Sequence, residues 1–150
     1  MIDAKVNLNI NTKTLNSSGD AYLNSFLIKA DEQEIVSVKN KKVNIALDFN
    51  DKTKLSINDF KTDILFNPEF THIKVASLDR VYPYSKLLKQ IDVKKGDLSI
   101  KLHDIDNIEF LANISELNTP LKRDGKKLDK ISLFGKINKY ETLLNTDSND

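Results

Sequence analysis

The sequence has no cysteine, no tryptophan, one methionine, four glycines and only two arginines, Arg80 and Arg123. Without thiols there can be no disulfide, thiolate metal site or cysteine nucleophile, and an oxidising compartment is permitted but not required. The glycines, Gly19, Gly96, Gly125 and Gly135, form neither a Gly-x-Ser-x-Gly elbow for a serine nucleophile nor a phosphate-cradling loop. Two arginines supply few planar guanidinium forks, so no cationic clamp for a phosphate headgroup stands out. Charge of one sign is also missing. The 23 basic and 22 acidic residues leave a net charge of +1 and are scattered along the chain, which argues against nucleic acid as a partner.

Long hydrophobic runs are absent as well. No window approaches the roughly 18 consecutive apolar residues of a membrane-spanning helix. Met1-Ile2-Asp3-Ala4-Lys5 lacks the basic and apolar regions of a signal peptide. The sequence as given reads as soluble, and any targeting segment or anchor would lie outside it.

What is present is period-two alternation, the pattern of a strand with one buried face. Val6, Leu8 and Ile10 alternate with Asn7, Asn9 and Asn11. Tyr22, Phe26 and Ile28 give a looser run; Val43, Ile45, Leu47 and Phe49 a strong one. Leu55 and Ile57, Ile64 and Phe66, and Ile73 and Val75 continue the series. In the second half come Leu98, Ile100 and Leu102, then Ile108, Phe110, Ala112 and Ile114, then Ile131, Leu133 and Ile137. Turn residues separate these runs, as in Asn16-Ser17-Ser18-Gly19-Asp20, Asn50-Asp51-Lys52, Asn67-Pro68, Lys95-Gly96-Asp97 and Lys122 to Lys126. Short turns cannot make the crossovers of parallel pairing, so the expectation is a mainly β chain folded as an antiparallel meander.

One segment breaks the alternation. Leu78, Val81, Tyr84, Leu88 and Ile91 fall at helical spacing, with Pro83 in the first turn and Asp79 available as a cap. This predicts one short amphipathic helix near residues 79–91, its apolar stripe closing over part of the sheet. Residues 1–144 read as a single β-rich domain, or as a segment of a longer repetitive β-structure, and 145–150 as a patternless polar tail.

Candidate chemistry is sparse. His72 and His103 lack any two-histidine metal spacing. His103-Asp104-Ile105-Asp106 is the densest ligand cluster but lacks the order of a calcium loop, and a solvated turn accounts for it. No catalytic residue, metal site or cofactor is therefore assigned. The one-sided apolar pattern has two readings. Most such patterns are sealed cores of a closed β-sandwich or barrel. Alternatively, a curved sheet leaves its apolar face partly open as a groove that takes acyl chains.

Residues 73–137 bear on that choice. Ile73-Lys74-Val75-Ala76-Ser77-Leu78 leads into the amphipathic segment, followed by Gly96-Asp97-Leu98-Ser99-Ile100 as a glycine-led strand start. Asn107 to Ile114 and Ile131 to Ile137 complete the series. In order and character this stretch resembles the AsmA-like superfamily of bacterial envelope proteins, which includes TamB-type proteins; residues 1–72 join only through compatible strand patterning. The resemblance implies a non-catalytic segment of a periplasmic protein, tethered to the inner membrane by an anchor outside this sequence. Its implied role is phospholipid transport between inner and outer membranes and outer-membrane integrity. Implied partners are phospholipid acyl chains and flanking segments of the same longer chain. The groove-facing candidates, taken from the alternation, are Leu98, Ile100, Leu102, Ile108, Phe110, Ile114, Ile131, Leu133 and Ile137. The competing expectation is a β-sandwich interaction module of a secreted or envelope protein, with loops 16–20 and 121–127 as its binding surface.

Overall fold

The alternating runs form the strands of one large sheet. A computed structural model describes residues 2–30, 33–50, 52–104, 106–117, 122–123, 126–127, 130–138 and 141–149. The strands of the first half are β1 (Ile2–Asn11), β2 (Asn16–Ala30), β3 (Gln33–Asp48), β4 (Thr53–Ile57), β5 (Thr62–Phe66) and β6 (Thr71–Val75). Two short helices follow, α1 (Leu78–Val81) and α2 (Lys86–Gln90). The remaining strands are β7 (Val93–Asp104), β8 (Asn107–Leu117), β9 (Lys122–Arg123), β10 (Lys126–Lys127), β11 (Lys130–Asn138) and β12 (Thr142–Asn149). Ten of them pair antiparallel in the order β1-β2-β3-β4-β5-β6-β7-β8-β11-β12, while β9 and β10 pair only with each other. The meander is not closed into a barrel or doubled into a sandwich; β1 and β12 stand as its two edges.

The helical segment stands where its spacing predicts, but several details depart from the expectations. It is divided into two short helices by a 3-10 turn, Tyr82–Tyr84. Pro83 has no N–H to continue a helical ladder, and Ser85 is extended at φ −106°, ψ 115°. Ser85, not Asp79, supplies the side-chain cap: its Oγ accepts the Leu88 N–H at 3.2 Å. Asp79 lies within the first turn of α1, where Ser77 donates its hydroxyl to the Asp79 carboxylate. Ile91, placed on the buried stripe by spacing, is half exposed because the helical phase is lost at Ser85.

In β2 the covered parity changes along the strand. Ala21 is buried opposite Val43 and Tyr22 is exposed, whereas Phe26 is half-buried opposite Val38, itself 1% exposed; the register shift of β1 against β2 between Asp3 and Ala4 falls where the parity changes. Finally, the stretch expected to be a tail forms most of β12, with Asn145 paired to Phe134 and Thr146 to Leu133. Backbone pairing along an edge requires no apolar alternation, which is why composition did not reveal it.

Candidate functional site

Directly opposed residues in an antiparallel pair point to the same side of the sheet. Followed strand by strand, the register links Ile10, Ser17, Leu47, Leu55, Ile64, Ile73, Ile100, Phe110, Gly135 and Leu144 into one row across all ten strands. Parallel rows on the same side hold Val75, Leu98, Ala112 and Leu133, and Leu102, Ile108 and Ile137. Ile114 opposes Ile131 on this side as well. All nine candidate residues therefore share one face: Leu98, Ile100 and Leu102 from β7, Ile108, Phe110 and Ile114 from β8, and Ile131, Leu133 and Ile137 from β11.

The same face continues beyond them. Val6, Leu8 and Ile10 on β1 and Leu144 on β12 extend it to both edges. These residues were not among the candidates, although the β1 alternation that marks three of them is legible in the sequence.

Two glycines fit this surface. A Cβ at Gly135 would lie 2.2 Å from atoms of the Phe110 ring, so the ring occupies the space above the glycine. At Gly96, the glycine of the Gly-x-Leu-x-Ile run, a Cβ would meet the Asn113 backbone oxygen at 2.1 Å. The glycine there permits the irregular pairing of β7 with β8 between Val93 and Gly96.

The face is covered unevenly along the strand direction. At the end where β6 runs into the helices, Leu78 is 3% exposed and Ile114 8%. Leu78, Val93 and Ile114 form a buried cluster against which Leu88, Leu98, Ile131 and Leu133 pack. A second cluster, Ala21, Val43 and Ile45, packs with Leu23, Leu55, Ile57 and Phe60. At the opposite end, near the β1–β2 and β5–β6 turns, apolar side chains face solvent. Ile10 is 73% exposed and Leu144 60%, and Phe49, Phe66 and Ile137 are also exposed. Exposed apolar side chains gathered along one margin are the kind of feature that accompanies interaction surfaces.

Residues 78–91 cross the covered end as a strap. Ser85, 2% exposed, bridges to Val36 on β3 and donates its Oγ to the Ile35 carbonyl at 3.1 Å. Lys86 Nζ lies 3.3 Å from Glu34 Oε2. Tyr84 meets Phe60 edge-on at 5.5 Å between ring centroids, and Lys41 Nζ stands 5.3 Å from the Tyr84 centroid. α2 touches both β3 and β7. Those strands are four positions apart in the sheet order, so the strap reaches across the sheet from one to the other.

The other side of the sheet carries charged pairs together with exposed apolar side chains such as Leu111 and Phe134, which oppose each other on β8 and β11. Lys54 pairs with Asp63 at 3.0 Å and Lys136 with Glu109 at 3.1 Å. Burial pushes the Asp63 carboxyl up, but the Ser56 hydroxyl, donating at 2.6 Å, and Lys54 together hold it below its ordinary range. Both histidines flank Phe70, with ring centroids 6.4 Å (His72) and 5.8 Å (His103) away. Partial burial, with Lys74 and Lys101 nearby, lowers the His72 pKa, and His72 Nε2 lies 2.7 Å from Ser99 Oγ. At the β7–β8 turn, Asp104 accepts the Asp106 N–H at 2.8 Å. A shallow depression of about 270 Å³ beside residues 58–60 is lined by Lys54, Ser56, Asn58 and Asp63 among others, and Asp63 is already engaged there.

No group of three or more potential metal ligands clusters among the described residues, and no helix among them is long and apolar enough to cross a membrane. No protein-family model, curated protein or solved structure matches the chain.

Proposed function

We propose that the apolar face is a groove for phospholipid acyl chains. On this reading the chain is a non-catalytic segment of an AsmA-like periplasmic protein that moves phospholipid between inner and outer membranes and supports outer-membrane integrity. The carrying observation is the mainly apolar face that runs from edge to edge of a ten-stranded open sheet, with apolar side chains exposed to solvent at its turn end. Its side chains are mostly aliphatic and similar to one another. A conduit needs that, because many equivalent contacts hold a chain without fixing it at one position, each contributing about 25 cal/mol per Å² of apolar area withdrawn from water. The likeness of residues 73–137 to AsmA-like proteins supports the same reading. The inner-membrane tether and the flanking β-segments belong to the proposal, not to the described residues.

Native mass spectrometry of the purified protein tests this. Phospholipid should remain bound under gentle ionisation, and Ile137→Asp, at the open end, should reduce it while the circular dichroism spectrum stays that of the parent. A lipid-free protein that unfolds on this substitution would mean a sealed core and would overturn the reading.

A further inference from the structure

The strap occupies part of the surface assigned to acyl chains. Leu78 and Leu88 pack in the cluster that includes Leu98, Ile114, Ile131 and Leu133, four of the nine groove residues. Two apolar groups cannot cover the same patch at once, since interior packing leaves no room for a second layer. We infer that residues 78–91 act as a gate whose leucines stand in for acyl chains and must withdraw for lipid to occupy the β7–β11 half of the groove. This inference rests on the groove reading above.

The strap is built to move as a unit. Its two helices are four and five residues long, too short to be stable alone, so its position depends on tertiary contacts. On the β3 side these are a latch, comprising the Val36–Ser85 bridge, the Ser85–Ile35 hydrogen bond and the Lys86–Glu34 pair, and the Tyr84 ring against Lys41 and Phe60. The latch residues lie on β3 from 34 to 36, beyond the stretch from Ile45 to Asp48 where β4 pairs. Undoing the latch therefore breaks no strand pairing of the large sheet. On the β7 side the strap is held by the same leucine contacts that lipid would replace. A ligand binding only the withdrawn state shifts the population toward it by its differential affinity for the two states.

Because the chain contains no cysteine, an engineered pair would be unique. Val36 and Ser85 are bridge partners, and residues so placed have a Cα separation of about 4.5–5.5 Å, within disulfide range. The double variant Val36→Cys/Ser85→Cys should therefore lock the gate when oxidised and free it when reduced. Binding of the fluorescent fatty acid cis-parinaric acid would be titrated in both states, with folding checked by circular dichroism. Reduction should tighten binding by about tenfold, the scale of uncovering the site of one leucine side chain. Leu88→Ala, with no disulfide involved, should likewise bind the probe more tightly than the parent, since it weakens the competitor and leaves the groove residues intact. Equal binding by oxidised and reduced protein, together with unchanged or weaker binding by Leu88→Ala, would overturn the gate while leaving the groove. If no form binds the probe, the groove reading fails, and the gate fails with it.

Discussion

Phe110 and Gly135 sit opposite each other on adjacent strands, and the ring fills the volume that any side chain at 135 would need. Gly135→Ala should force the ring off its position and cost about 1–3 kcal/mol, the usual range for overpacking; urea denaturation would register it as a lowered midpoint with an unchanged slope. A substitution without effect would mean that the ring moves freely. His72 gives a residue-scale prediction on the other side of the sheet. Its pKa is lowered in the folded protein by partial burial and by Lys74 and Lys101, so the unfolded chain takes up its proton first as pH falls. The stability this contributes is fully present above the ordinary histidine value of about 6.5 and is lost as pH falls from there through the folded value. Stability followed between neutral and mildly acidic pH should decline in that window, and His72→Gln should flatten the decline. The carboxylates with lowered values, Glu109 beside Lys136 and Glu116 beside Lys95 and Lys94, respond only at more acidic pH, so the two effects are separable. An NMR titration in which His72 protonates no lower than an unperturbed histidine would remove the basis for this prediction.

At the scale of elements, legibility followed the strength of the alternation. Where one parity is apolar and the other polar, as in Val43 to Leu47 or Leu98 to Leu102, strand and buried face could both be read directly, because a slip of one residue would expose every apolar side chain. In β2 both parities carry apolar residues, and only the pairing with β3, to Val43 at one end and Val38 at the other, resolves which is covered where. The β12 strand was not legible because its place is set by backbone pairing to β11. The break in the helical segment was half legible. Pro83 is visible in the sequence, but the extended Ser85 is fixed by its contact with β3, 50 residues earlier. The nine candidate residues could be placed on one face because apolar residues recur on one parity of each run, despite Leu111 and Phe134 on the other. That the helical segment closes over the sheet is legible in its apolar stripe, but which four of them it covers is not, since its position depends on tertiary contacts to two distant strands.

At the scale of the whole molecule, an open sheet presents two edges, and each outer strand has a row of backbone groups with no partner strand in the sheet. Such edges usually carry protection in the form of inward-pointing charge, proline or bulges. Here the apolar-face positions of β1 hold Ala4, Val6, Leu8 and Ile10, and β12 places the exposed Leu144 on the same side. A neighbouring strand that paired with either edge would gain backbone hydrogen bonds and extend the apolar face at the same time. In the groove proposal, flanking segments of a longer chain fill this role. The protein alone should therefore self-associate, with a sedimentation coefficient that rises with concentration. Placing lysine on the apolar side of both edges, as in Val6→Lys/Leu144→Lys, should shift the population toward monomer, because pairing would then require burying an uncompensated ammonium. If the parent chain stays monomeric at every soluble concentration, its edges are protected in some other way, and the requirement for flanking strands loses its physical basis.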